Sequence, residues 1–390
     1  MSNRKPSHYL AAFFVVCFLC VSAPAQEKAE ERKATVDRLF ELGVSYSNKK
    51  QFDQAIETYR KLLKIEPMHP SALHNLGAAL ANTSRHQEAL EAFEAAVKLS
   101  PSQAQFHASL GAAYMNLRRW DESLTALNEA VRLDPTSGTT YSMLGFLYDN
   151  TRRFEEALAA NKKAVEYAPE NPANFHNLGL TLIKLNRLAE AVEPLEIALR
   201  IAPNYKNARF HLSNTLSRLK RYKDAVDSFT KLLELDADHA DILTLRAWNY
   251  MYLGGSGREA ATDAERYLNL YGWRTQSAPF QAIIAVIGFR AAGMDERAAA
   301  IISQSHTKAD QTLWPYKIIL FFNNQLTSEE LLKAASTTDQ KTEAHTFIGM
   351  ELLLRGEPNE ARTHFEWVKE FGNPTFYEYP LALAELERLR

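Results

Sequence analysis

Leu39, Leu42, Gly43 and Tyr46 stand three or four positions apart, so on a helix they share one face. That face recurs along the chain. Leu-Gly pairs occupy 42–43, 76–77, 110–111, 144–145 and 178–179, each pair 34 residues after the last. A bulky residue recurs at the same spacing in six periods (Phe52, His86, Trp120, Phe154, Leu188 and Tyr222), and a small one follows three positions later in most of them (Ala55, Ala89, Ala157, Ala191 and Ala225). Pro67, Pro101, Pro135, Pro169 and Pro203 close the periods. Each ends a helix, because the residue before a proline is pushed out of the α region. The pattern predicts two helices per period, brought close by the glycine and alanine, with the bulky residues as core. The segment HNLG therefore occurs twice, at 74–77 and 176–179, because the 102 residues between the two copies are three periods of 34.

The regular periods run 36–69, 70–103, 104–137, 138–171, 172–205 and 206–239. In the sixth, Ser213 replaces the glycine and Ala237 the proline. Residues 240–304 read as two degenerate repeats: the first contains GGSG at 254–257 and slips by one residue, and the second has Gly293 at its turn. Flexible residues at 254–257 predict weaker coupling there, since repeat stability is a sum of nearest-neighbour terms. Residues 305–341 leave the register as an irregular helical insert. Its WPYKIILFF reads as an apolar helix with Pro315 in the first turn. Thr327 and Glu330 then have capping-box spacing. A ninth repeat, 342–375, carries Gly349, Ala361, Phe365 and Pro374, and residues 376–390 read as a C-terminal capping helix.

Period, Leu-Gly, later Ala and closing Pro together resemble the tetratricopeptide repeat over most of the chain. The resemblance implies an all-α fold, a right-handed α-solenoid of helix-turn-helix repeats with a C-terminal capping helix. It also implies a concave surface of first helices that holds a peptide or helix of a partner protein, with repeat positions 2, 5, 6, 9, 12 and 13 facing inward. Those positions place Asn48, Asn82, Asn116 and Asn150 at 13, His74, His176 and Phe210 at 5, Asn75 and Asn177 at 6, and Phe146 and Trp248 at 9. A row of amides offers donors and acceptors to an extended peptide backbone. Equally, asparagine near a helix end satisfies orphan carbonyls. Both readings stand. The carboxylate-gripping set of one subclass is missing, since position 5 also holds Phe40, Ala108 and Ser142. The asparagine ladder of the O-GlcNAc transferases is present only at Asn75 and Asn177. The C-terminal part is also similar to the ends of some bacterial envelope repeat proteins.

Composition narrows the function. A net charge of −2 argues against a nucleic-acid partner, which would want a strongly basic domain. Basic residues recur at the turn within each repeat (Lys49 and Lys50, Arg85, Arg118 and Arg119, Arg152 and Arg153, Arg187, Lys220 and Arg221). They form either a positive rim for an acidic partner or cations that complement the first helix's dipole. There is no P-loop, GxGxxG, HExxH or GxSxG. His74 and His176 lie three repeats apart, and helices stack at about 8–10 Å, so the two cannot share a metal. No catalytic residue, metal or cofactor is assigned, and the chain reads as a non-catalytic scaffold. The alternative is a regulatory arm or an enzyme with its site in the irregular C-terminal region.

The N-terminus reads as an export signal. Arg4 and Lys5 precede the apolar run Tyr9–Ser22, and Ala23 and Ala25 follow it, the layout of a cleavable signal peptide over residues 1–25 with a linker at 26–35. The run is 14 residues long, short of the roughly 20 that span a bilayer. A periplasmic or secreted protein is expected, with membrane contact at most peripheral. A retained membrane anchor is the alternative. Cys17 and Cys20 both fall in this run, in the wrong order for a lipid-modified cysteine, so cleavage would leave no thiol and no disulfide. The mature chain is predicted to begin at Gln26. Intact-mass measurement of the protein from its own host decides, and a mass that retains residues 1–25 overturns the assignment.

Overall fold

The structure is a computed structural model that describes the backbone of residues 9–390 and the side chains of residues 26–390. The side chains of the expected signal segment, Cys17 and Cys20 included, lie outside the described residues. Among the described residues the chain is all-helical, in consecutive helix pairs. It divides into two compact units, residues 1–169 and 170–390. The first holds α1 (Tyr9–Asn48), α2 (Phe52–Ile65), α3 (Pro70–Asn82), α4 (His86–Leu99), α5 (Ala104–Asn116), α6 (Trp120–Leu133), α7 (Gly138–Asn150) and α8 (Phe154–Tyr167). The second begins with α9 (Pro172–Lys184), α10 (Leu188–Ile201), α11 (Lys206–Arg218), α12 (Tyr222–Leu235), α13 (Ala240–Leu253), α14 (Gly257–Tyr271), α15 (Ala278–Ala291) and α16 (Asp295–Lys308). It ends with α17 (Pro315–Phe322), α18 (Ser328–Ala334), α19 (Thr338–Leu354), α20 (Pro358–Phe371) and α21 (Glu378–Arg388).

In each regular pair the glycine of the first helix meets the residue sixteen positions later on the second. A Cβ on Gly43 would sit 2.5 Å from the Tyr59 ring, one on Gly77 2.9 Å from Phe93, and one on Gly111 2.7 Å from Leu127. Gly179 meets Leu195 and Gly349 meets Phe365 in the same way. These partners are buried, so the missing methyl is the space into which the core side chain packs. Ser213, the sixth-repeat exception, donates its hydroxyl to the Arg209 carbonyl at 2.7 Å, with Ser228 Oγ 2.8 Å away.

The turn inside each pair is equally regular. Lys50, Ser84, Arg118, Arg152, Asn186 and Lys220, again 34 residues apart, all take left-handed backbone angles with φ between 56° and 60°. After each, an N–H reaches back over the turn, as from Arg119 to the Tyr114 carbonyl at 2.9 Å and from Arg85 to Leu80 at 3.0 Å, the Schellman cap of a helix end. Gly293, Asn324 and Gly356 take that place in later turns.

The second unit departs from the simple stack in two ways. At 254–257 Gly254 and Gly255 take positive φ in the turn after α13, with open space beside Gly255, whereas Gly257 meets α15: a Cβ on Gly288 would sit 2.2 Å from the Gly257 carbonyl oxygen, so these two glycines bring α14 and α15 into backbone contact. At the C-terminus α21 does more than seal the last repeat. It reaches back to α13, where the Tyr252 hydroxyl donates to the Tyr377 carbonyl at 3.0 Å and Arg388 donates to the Tyr252 carbonyl. Between them α17 buries Tyr316, Ile318, Ile319, Phe321 and Phe322, and α18 opens with the Thr327–Glu330 capping box.

Two substitutions in one pair test this packing. Gly111→Ala should cost about 1–3 kcal/mol, because Leu127 must give way in a filled core. Arg118→Gly should gain about 0.5–1 kcal/mol, the relief of left-handed strain less the added freedom of the unfolded chain. Denaturant midpoints read both, and an unchanged midpoint for Gly111→Ala would contradict the close approach.

Candidate functional site

In the first unit the expected groove residues lie along the first helices but differ in availability. His74 is 8% exposed, so it serves as wall rather than as a free hand. It stacks on Phe106 at 4.7 Å and lies within hydrogen-bonding distance of Ser109 Oγ (2.9 Å) and Asn75 Oδ1 (3.3 Å). Burial pushes its imidazole below the ordinary histidine pKa. Asn75 is half-buried beside it, whereas Asn48, Asn82, Asn116 and Asn150 are exposed at the ends of their helices. The Asn82 Nδ2 donates to the Ala78 carbonyl at 2.9 Å, and the Asn150 Nδ2 donates to the Phe146 carbonyl at 2.8 Å. Each therefore donates back one turn to a carbonyl of its own helix, while its Oδ1 has no protein donor among the described bonds. Phe146 is 54% exposed, an apolar foothold one turn before Asn150.

In the second unit His176 is buried, with the Tyr205 hydroxyl 3.3 Å from Nδ1 and the His211 ring 5.3 Å away. Burial, and then the neighbouring His211, lower its pKa to about 4. Asn177 and Phe210 are half-buried, Phe210 against an aliphatic cluster that includes Leu212 and Leu216. Trp248, expected on the open face, is only 2% exposed because Tyr377 stacks on it at 5.5 Å and 13°.

The basic turns are locally neutralised. Arg85, Arg119, Arg153, Arg187 and Arg221 each precede a second helix and pair with an acid three residues on: Glu88, Glu122, Glu156, Glu190 and Asp224. Lys49, Lys50, Arg118 and Arg152 make no ion pair among the described residues, so the neutralisation covers one cation of each of these five turns.

Sequence reasoning missed a cavity of about 310 Å³ in the second unit. Thr244 and Trp248 come from α13, Phe280 and Gln281 from α15, Glu343 from α19, and Phe376, Tyr377 and Glu378 from the turn into α21 and its first residue. The turn is tied over α19: the Asn373 N–H donates to Thr342 Oγ1 at 2.9 Å, and its Nδ2 donates to Asp339 at 2.7 Å. Both glutamates are buried. Burial raises Glu343 to about 7, with Asp339 adding to the shift and the Trp314 Nε1–H bond at 2.8 Å opposing it. Burial, and then Glu343, raise Glu378 to about 8. One sequence signal existed. Glu343 falls on the same helical face as Thr346 and Met350, where an acid has no solvent to meet.

The comparisons point to one repeat class. A family model described as Cilia and flagella-associated protein 70 C-terminal domain matches residues 22–247. Comparison with curated protein sequences found no match. Among solved structures, the C-terminal part of a TPR repeat-containing protein from Cytophaga hutchinsonii is 16% identical, with a TM-score of 0.52 over 62% of this chain and 98% of that one. PilF of Pseudomonas aeruginosa is 21% identical over 52% of this chain and 91% of its own, with a TM-score of 0.46. YrrB, described as a TPR protein with an unusual peptide-binding site, is 24% identical over 46% of this chain and 93% of its own, with a TM-score of 0.43.

The two glutamates predict an unusual pH profile. Their folded pKa values, about 7 and about 8, lie above the ordinary 4.5. The folded chain therefore keeps protons that the unfolded chain has released, and stability falls as pH rises toward 8. Buried histidines act below pH 6.5. His176 and His345 are held at about 4, so the unfolded chain takes up protons first and stability falls as pH drops. Between pH 4.5 and 6.5 the glutamates and histidines oppose each other and above 6.5 only the glutamate loss remains, so stability should peak just below pH 6.5, and Glu378→Gln should flatten the alkaline side by about 2 kcal/mol between pH 6.5 and 9. Parallel melting profiles for the two proteins would contradict this.

Proposed function

The chain belongs to the tetratricopeptide-repeat proteins, through a model that matches residues 22–247, and on that basis we propose that it is a non-catalytic scaffold holding a peptide or helix of a partner protein along its first helices. The fold is that of a protein–protein interaction module. What supports a peptide is the row of exposed amides at 34-residue spacing in the first unit, beside the uncovered ring of Phe146. Each helix end uses the donor of Asn82 or Asn150 and leaves its Oδ1 to accept from a peptide N–H. A side chain that caps a helix is also held still, which lowers the entropy cost of gripping a ligand.

The proposed setting is the cell envelope or the secreted space. It is supported by the basic, apolar, small-residue order of the N-terminus. Among the described residues no helix is long and apolar enough to cross a membrane.

Changing Asn82, Asn116 and Asn150 together to Ala tests the grip. Each net hydrogen bond is worth about 0.5–1.5 kcal/mol, so affinity should fall roughly ten- to a thousandfold. Partner recovered by crosslinking supplies the ligand, calorimetry the affinity, and circular dichroism the melting temperature. A lower melting temperature with unchanged affinity would leave these amides as helix caps alone.

A further inference from the structure

Among the described residues five carboxylates are buried: Asp263, Glu343, Glu351, Glu378 and Glu385, all in the second unit. Three have an arginine. Asp263 pairs with Arg246 at 2.7 Å, Glu351 with Arg290 at 2.8 Å and Arg355 at 3.0 Å, and Glu385 with Arg388. Glu343 and Glu378 have no lysine or arginine partner, and they are the two that line the cavity. A buried carboxylate without a cation is costly, so a core that supplies arginine three times and omits it twice, at one cavity, is missing a cation there.

We propose that this cavity binds an organic cation, an alkylammonium or guanidinium group, between Glu343 and Glu378 and beside the ring of Tyr377. The surroundings supply only negative or neutral groups. Asp339 acts on Glu343 from the same helix, Tyr252 and Tyr377 face Glu378, and Asp241 faces Tyr377. From α15 come only Phe280 and Gln281. Gln281 is fully buried: its Nε2 donates to Thr244 Oγ1 at 3.1 Å, and its Oε1 has no partner. That oxygen is a third acceptor for a group carrying three or five N–H donors. The half-exposed phenol of Tyr377 stabilises a cation, the Trp248 indole being already stacked by Tyr377 at 5.5 Å and Tyr252 at 6.0 Å, and the apolar walls suit an alkyl stem. No described cluster of three ligating side chains exists for a metal ion. A volume of about 310 Å³ admits a group the size of a basic side chain, and Tyr377, 49% exposed, stands at the mouth. Glu343 and Glu378 are held at about 7 and about 8, so a bound cation displaces protons.

This site is independent of the groove reading and lies in the other unit from its amides. The test is calorimetry on the whole mature chain near pH 7 with three probes: agmatine, N-acetyl-lysine amide and the neutral N-acetyl-norleucine amide. At least one cation should bind while the neutral probe does not, with proton release shown by different heats in buffers of different ionisation enthalpy. Glu343→Gln and Glu378→Gln keep the volume and should each weaken binding at least tenfold and lower the protons released. Gln281→Met should weaken it several-fold. Binding of agmatine alone assigns a free amine, and binding of the lysine amide assigns a basic side chain of a partner. No binding by either cation, equal binding of the norleucine amide, or full affinity in the folded Glu→Gln variants overturns the proposal.

Discussion

The contact on which the structure depends is the one, made in six of the described pairs, between the bare Cα of a first helix and the side chain sixteen residues later. It fixes how closely the two helices lie, and with it which faces are spent. Tyr59, Leu127 and Phe365 are fully buried against Gly43, Gly111 and Gly349, so one face of each first helix is committed to its own pair. The left-handed residue at 50, 84, 118, 152, 186 and 220 is the corollary. Helices this close need a three-residue turn, and that turn needs positive φ even where the sequence offers lysine or arginine. The strain is distributed one residue per repeat and offset by packing on both sides. What remains of the first helix is its outer stripe, where Asn82, Asn116, Phe146 and Asn150 stand.

The second unit uses the same pair but closes on itself. Trp248 occupies the position that Phe146 occupies in the first unit, yet one is buried and the other is open. The difference is the turn at 373–377. Asn373 pins it over α19, and Tyr377 then lies flat on the indole. An open stripe has become the wall of a chamber through a segment about 130 residues away in sequence.

That distance separates what could be read from what could not. The period shows the helix pairs, the glycine contact and the small-residue approach because all are local in sequence, within one repeat. The Thr327–Glu330 box was equally plain, because capping chemistry spans one turn. The cavity was hidden because its walls come from four elements between 244 and 378, and their meeting depends on the return of α21 to α13. Glu343 and Glu378 look like solvated acids of amphipathic helices until the elements that cover them are known. The close approach at Gly257 was hidden for a related reason. Glycine in a run signals freedom, but at Gly257 it permits backbone contact with a second glycine, Gly288, that no local pattern connects to it.

The unpaired acids also bear on how the second unit holds its end. Glu378 is the first residue of α21, and beyond it the same helix buries Leu381, Ala382 and Leu386. Anchoring that helix therefore brings an acid into the interior together with its apolar face. Near neutral pH the acid can stay inside by keeping its proton, which its pKa of about 8 allows. Once ionised, it is the buried charge nearest the turn that joins α20 to α21, and repulsion from Glu343 acts directly on that turn. The Trp248–Tyr377 stack and the Tyr252 bond resist from α13. The seating of the capping helix and the charge state of the cavity are thus one balance, since Tyr377 and Glu378 are at once the chamber's wall and the helix's attachment.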